Sequence, residues 1–180
     1  AAVSSLYYSQ RLVYLPVGLF GVAMAVVALP AMSRAWSAND HDGMQGSLLF
    51  ALKQVLFLTV PAAVLLGMFA GPVIELIFVR GSFDATSARE TAWALWFYVP
   101  GIPAFACTKI AVTPFYARKD TKTPVRIAVV CLVLNVVLNL VLMQFLDQAG
   151  LALATTICAF LNVTALLYLA HRRLKILCWR

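Results

Sequence analysis

Charge is the scarcest property of this sequence. Only 12% of its 180 residues are Asp, Glu, Lys or Arg, and 7 are acidic. A soluble domain carries about 25% charged residues, so half that density leaves too little charge to cover a water-facing surface. Histidine is nearly absent, with His41 and His171 far apart in the chain. The four cysteines, Cys107, Cys131, Cys158 and Cys178, form no C-x-x-C pair, and three lie inside apolar blocks. They read as small buried hydrophobes, and no metal site is expected. There is no P-loop, no G-x-S-x-G and no H-E-x-x-H, so neither catalytic residues nor a cofactor is expected. No long apolar run alternates with period two, which argues against a membrane barrel. The chain opens at Ala1 without a basic stretch and a small-residue cleavage site, and the expectation is an internal segment of a longer protein.

What the chain has in abundance is apolar length. Hydrophobic residues make up 63%, the mean hydropathy is +0.90, and the apolar residues come in blocks. A membrane-crossing helix needs about 20 mostly apolar residues. Uncharged runs predict five spans, at roughly 6–33, 47–79, 87–117, 124–146 and 149–171, with a basic tail over 172–180. The expected fold class is therefore all-α, a polytopic transmembrane helix bundle. Polar connections separate the spans: Ser33 to Gly46, with Asn39, Asp40, Asp42 and Gly43 as turn formers; Arg80 to Glu90; the basic loop Arg118 to Arg126; and a tight turn from Asp147 to Gly150.

The net charge of +7 and the pI near 9.5 would suggest nucleic acid in a soluble protein. Here the basic residues cluster at the ends of apolar blocks, which is the signature of membrane topology, and no nucleic-acid partner is expected. Alternation puts Arg34, Lys53, Arg118, Lys119, Lys122, Arg126, Arg172, Arg173, Lys175 and Arg180 on one face and only Arg11, Arg80 and Arg89 on the other. By the positive-inside rule the richer face is cytoplasmic. The first span then runs from outside to inside, and the C-terminal tail lies inside.

Six prolines fall in or near spans: Pro16, Pro30, Pro61, Pro100, Pro103 and Pro114. Each removes a backbone donor, and broken helices of this kind occur in transporters, although proline is also commoner in membrane helices generally. Gly67-x-x-x-Gly71 predicts close helix packing rather than a dimer contact. Asn135 and Asn139 share a helix face, and with Asn162 they are expected to make interhelical hydrogen bonds more than to bind substrate. Two cations are the candidate binding residues. Arg11 falls in the outer third of the first span. Lys109 falls inside the third, where a charge at the helix centre costs about 2.5–3.5 kcal/mol and usually faces a wet cavity. Snorkelling to the headgroups, or for Lys109 an inward-facing ion pair, are the alternatives. A guanidinium in such a cavity suits an anion, because its planar fork matches phosphate oxygens.

Several segments then carry a resemblance. Tyr7-Tyr8-Ser9-Gln10-Arg11-Leu12, Leu15-Pro16-Val17-Gly18-Leu19-Phe20-Gly21-Val22-Ala23 and Leu29-Pro30-Ala31-Met32-Ser33-Arg34 are followed by Phe78-Val79-Arg80-Gly81-Ser82-Phe83. Next come Phe115-Tyr116-Ala117-Arg118-Lys119-Asp120-Thr121-Lys122-Thr123-Pro124-Val125 and Ala149-Gly150-Leu151-Ala152-Leu153-Ala154-Thr155. In this order, over nearly the whole chain, they resemble the lipid II flippase family MurJ (MviN), of the multidrug, oligosaccharidyl-lipid and polysaccharide exporter superfamily. The resemblance implies a two-lobed transporter of the bacterial inner membrane, of which this chain is spans eight to twelve, mostly second lobe. It implies flipping of undecaprenyl-pyrophosphate-linked disaccharide-pentapeptide by alternating access, for peptidoglycan synthesis. It implies as partners lipid II, membrane lipids, the remaining spans of the parent and cell-wall synthesis enzymes. Arg11 falls on the family's cavity arginine, and Lys109 on a lysine position of less defined role. Where some members carry an acid three residues after that arginine, this chain has Tyr14. The alternatives are an exporter of another polyprenyl-linked glycan or of a drug, a non-transporting membrane scaffold, and a truncated product.

Overall fold

A computed structural model describes residues 2–78 and 85–174. These residues form helices and short turns, with no strand among them. In order they are α1 (Ala2–Pro16), a π-helical segment Val17–Val22, α2 (Ala23–Ser37), α3 (His41–Met68), α4 (Ala70–Phe78), α5 (Ala85–Tyr98), α6 (Gly101–Ala111), α7 (Thr113–Ala117) and α8 (Lys122–Leu174).

Four stretches are long and apolar enough to cross a membrane: Ser9–Ser37, His41–Met68, Lys122–Gln144 and Ala149–Arg172. A fifth arises if Thr91–Tyr98 and Gly101–Ala117 count as one span bent by 47°. The fold is thus an all-α membrane bundle of four or five spans, and the loops are shorter than the polar residues suggested. Helix continues to Ser37 and resumes at His41. The turn between needs only Ala38 to Asp40, with Asn39 in the left-handed region (φ 54°) and the Asp40 carboxylate accepting from Gly43 N at 2.8 Å as the helix cap. The basic loop closes in the same way. Lys119 takes φ 60°, and Asp120 accepts from Thr123 N (3.1 Å) and Thr123 Oγ1 (2.7 Å) to start α8. The Phe78–Phe83 turn lies largely outside the described residues, as does the end of the basic tail.

α8 holds two spans in one helical stretch. A straight helix would separate Leu142 from Gly150 by about 12 Å, yet a methyl group at Gly150 would collide with the Leu142 carbonyl. The chain therefore doubles back between them, and its fourth and fifth spans lie antiparallel. The expected reversal is present, but its backbone is helical rather than a polar loop.

Within a bilayer the apolar effect does not drive helices together, so close approach by small residues matters more. The second half of the third span is the central helix, and its buried residues are mostly small: Gly101, Ala104, Ala106, Cys107 and Ala111. A Cβ at Gly21 would sit 3.0 Å from Ala106 Cα, and one at Gly67 would sit 3.3 Å from Val99 Cγ1. Gly71 has nothing within 4 Å, so only the first glycine of the G-x-x-x-G pair packs. Two apolar clusters result. One holds Met32, Met44, Leu48, Val55, Ile110, Phe115 and Leu166. The other holds Val13, Val17, Ile74, Leu95, Tyr98 and Ile102, with Phe105 packed against both. The fourth span is the outlier: no residue from Val125 to Gln144 is buried, and its exposed Val129, Val130, Leu132, Val133, Val136, Val137 and Leu140 suit lipid contact.

Three prolines coincide with departures from regular helix. The π segment follows Pro16, the 47° bend follows Pro100, and α7 carries Pro114 in its first turn. Pro30 and Pro61 sit inside unbroken helices. At the Pro100 break the last carbonyls of α5 lose their helical donors, and Thr156 Oγ1 of the fifth span donates to Phe97 O at 2.8 Å. A neighbouring span thus re-satisfies the freed backbone. Ser9 Oγ similarly donates to Thr91 O at 3.0 Å, joining the first span to the third.

Candidate functional site

A cavity of about 300 Å³ opens between the first, third, fourth and fifth spans. Its lining residues repeat with one helical period on each wall. Tyr14 and Val17 come from the first span, and Phe105, Thr108 and Lys109 from α6. The fourth span supplies Ala128, Cys131, Leu132 and Asn135, and the fifth supplies Thr155, Cys158, Ala159 and Asn162. Spacings of three, four and seven residues put each set on a single face. The antiparallel hairpin of α8 then brings the two matching faces together. No acidic residue is among those lining the cavity, which gives Lys109 no counter-ion there.

Lys109 is exposed, so its ammonium is not sealed in the bundle. The polar groups around it are hydroxyls and amides. Thr108 and Thr155 each donate to a carbonyl one turn back in their own helices, Ala104 O and Leu151 O, both at 2.8 Å. Thr108 Oγ1 keeps acceptor capacity, while Thr155 also hydrogen-bonds the Tyr98 hydroxyl. Asn139 Nδ2 donates to Asn135 Oδ1 at 3.0 Å, while Asn139 Oδ1 is buried with no hydrogen-bond partner among the described residues. The sequence suggested that these amides bond between helices. The observed bond lies within one helix, because an i, i+4 pair reaches its own neighbour before it reaches another span.

Arg11 lies on the same helix as Tyr14, one turn earlier. It is exposed. Its Nη2 donates to the Tyr7 hydroxyl at 2.7 Å, and its Cζ stands 5.0 Å from the Tyr7 ring centroid. Tyr7, Arg11 and Tyr14, at i, i+4 and i+7, form a stripe along one face, and both tyrosines are 52% exposed. A guanidinium has five N–H donors. With one committed to Tyr7, the rest of the fork remains available to an oxyanion.

The two candidate cations do not line one cavity. Arg11 is absent from the lining that contains Lys109. The first and third spans run parallel, with Gly21 beside Ala106 and Thr113 Oγ1 donating to Met32 Sδ at 3.0 Å. Tyr14 meets Phe105 with ring centroids 6.5 Å apart. From the level at which Gly21 meets Ala106 backbone to backbone, Arg11 sits ten residues before and Lys109 three residues after, so their backbones are offset by about 20 Å along the bundle. Tyr14 connects them, belonging to both the Arg11 stripe and the Lys109 cavity. Tyr7, Tyr14, Thr108 and Thr155 were not picked out from sequence as site residues. The available signal was helical spacing from Arg11, and it would have found the two tyrosines but not Thr108, which is adjacent to Lys109 in sequence.

The chain is similar to proteins of one kind. A family model described as lipid II flippase MurJ matches residues 1–180. A protein of Vibrio cholerae named probable lipid II flippase MurJ is 40% identical over 167 residues, 93% of this chain and 32% of that protein. One of Burkholderia cenocepacia named lipid II flippase MurJ is 36% identical over 172 residues, 96% of this chain and 33% of the relative. A solved structure titled lipid II flippase MurJ, inward closed conformation, superposes with a TM-score of 0.84 at 30% identity, covering 93% of this chain and 35% of the other. The chain spans about a third of the length of these relatives.

Proposed function

The chain belongs to the lipid II flippase MurJ family, and from that premise we propose that it forms part of the membrane domain of a transporter that moves lipid II across the bacterial inner membrane by alternating access. The chain itself is a multi-pass inner-membrane segment. The remaining spans of the parent complete the second lobe and supply the first, and 180 residues alone do not flip lipid. The parent is a transporter and not an enzyme: its work is to carry a pyrophosphate and sugar head past the bilayer centre while the polyprenyl tail stays in lipid. Cell-wall synthesis enzymes that consume the flipped lipid are the natural protein partners.

Arg11 carries this reading. It is exposed on a helix face within a membrane span, and Tyr7 holds it by a hydrogen bond and a ring contact. That leaves a pre-oriented fork for a pyrophosphate. Lys109 adds a second positive charge further along the bundle, where it attracts the anionic head as it moves. The basic connections face the cytoplasm, so the first span enters from outside with Arg11 nearer the outer end, and the tail after Arg172 is cytoplasmic. The Lys109 side of the cavity is then met first by a head arriving from inside, and Arg11 second.

The test is lipid II translocation in bacteria whose only flippase is the full-length parent, at matched membrane abundance. Arg11→Ala is expected to abolish translocation, and Arg11→Lys to restore only part of it, because a point charge replaces the bidentate fork. Equal translocation by wild type and Arg11→Ala makes Arg11 structural. Absence of translocation by the wild type overturns the function.

A further inference from the structure

Tyr14 is half-exposed and lines the cavity. Its position is particular. It stands one turn from Arg11 on the same face, and its ring lines the cavity beside Phe105, with centroids 6.5 Å apart and planes tilted by 44°. The other polar residues lining that cavity are Thr108, Lys109, Asn135, Thr155 and Asn162. The hydroxyls and amides among them are uncharged groups that both donate and accept, and Lys109 is the one charged residue of the lining. A flat aromatic face, neutral two-way hydrogen-bonding groups and an adjacent guanidinium suit a sugar ring bonded to a phosphate. The apolar C–H face of the ring covers the tyrosine, its hydroxyls meet the amides, and the phosphate reaches the fork. A bare phosphate would use only the two cations. A lipid tail would have no use for the amides.

Resting on the lipid II reading above, we propose that Tyr14 and the cavity wall of Thr108, Asn135 and Asn162 form a saccharide subsite, which reads the sugar attached to the pyrophosphate held by Arg11. The one-turn offset of Tyr14 from Arg11, about 4.5 Å of helix rise, places the two subsites at the spacing of directly bonded groups. The assignment separates two tasks on one helix face. Arg11 binds the anion that every polyprenyl pyrophosphate carries, and Tyr14 distinguishes lipids that bear a sugar from those that do not.

The experiment compares binding of two probes, lipid II and sugar-free undecaprenyl pyrophosphate, to the purified full-length parent in nanodiscs. Tyr14→Ala is expected to weaken lipid II about five- to tenfold, the scale of one aromatic contact, and to leave undecaprenyl pyrophosphate unchanged. Tyr14→Phe, which keeps the ring, is expected to bind both as wild type does. Arg11→Ala is expected to weaken both probes. If Tyr14→Ala weakens both probes equally, or neither, while Arg11→Ala weakens both, the saccharide subsite is wrong and the pyrophosphate reading stands. If Tyr14→Phe loses lipid II as fully as Tyr14→Ala, the hydroxyl and not the ring acts, which also overturns stacking. If the wild type binds neither probe above an empty nanodisc, the subsite and the flippase reading fall together.

Discussion

Replacing Thr156 by Val keeps the shape of the side chain and removes one hydrogen bond, the 2.8 Å donation to Phe97 O at the Pro100 break. Polar contacts between membrane helices average about 0.6 kcal/mol and reach about 1.7. This one serves a carbonyl beside a break in its helix, so the upper part of that range applies, about 1–2 kcal/mol with the cost of an unpaired buried acceptor included. Gly101 shares the joint. A Cβ there would stand 2.9 Å from Thr156 Oγ1 and 2.9 Å from Phe105 Cε2. Both neighbours are side-chain ends that can turn aside, and turning Thr156 breaks the same bond. Gly101→Ala alone therefore costs about 1–3 kcal/mol, and a large share of that is the loss already counted in Thr156→Val. The double variant should fall short of the sum of the singles by about 1 kcal/mol. Reversible unfolding of the full-length parent in bicelles, followed across all four members of the cycle, measures this. Additivity to within about 0.4 kcal/mol would mean that the two residues do not act on one joint, and the account of how the bent span is held would be wrong.

Other consequences follow from the same contacts. Gly21→Val places branches against Ala106 Cα, 3.0 Å from the Cβ position. Backbone cannot turn aside, so the first and third spans must separate, and thermal stability should drop by more than for Gly71→Val, which meets open space. Asp120→Ala removes the cap that accepts from Thr123 N and Oγ1 and should cost about 1 kcal/mol; Asp120→Asn, which keeps one acceptor, should cost less in the same unfolding assay. Arg118 lies 4.4 Å over the Trp36 ring, tying the basic loop to the end of the first span. Arg118→Ala should lower stability by about 0.5–1 kcal/mol and raise proteolytic cleavage of that loop, whereas Lys119→Ala, exposed and without that ring contact, should do neither.

The class of this protein was legible in its composition, because low charge density and blocky apolar residues leave a chain few ways to fold outside a bilayer. That the chain holds four or five membrane-length apolar helices was also legible, since each needs a fixed apolar length. Resemblance of motifs such as Phe115 to Val125 supplied the family, which physics alone did not reach. The residues of the candidate site were legible only in part. Arg11 and Lys109 stood out because a charge within an apolar run is costly, whereas Tyr14, Thr108 and Thr155 carry no such penalty and look ordinary in a linear reading. Asn135 and Asn139 drew notice as a pair, but their mutual bond within one helix depended on rotamers that spacing allows without choosing.

Local chemistry along the chain decided where helices begin, where they lose a backbone donor and which faces are apolar, because those depend on neighbours a few residues away. Tertiary structure decided the rest. It chose which of the small residues touch, so that Gly21 and Gly67 pack and Gly71 does not. It answered the break at Pro100 with a hydroxyl 59 residues away. It set Arg11 and Lys109 at different levels with Tyr14 between them. These outcomes depend on how rigid helices settle against one another in three dimensions, and that is fixed by the shapes of all the facing surfaces together and not by any one stretch of sequence.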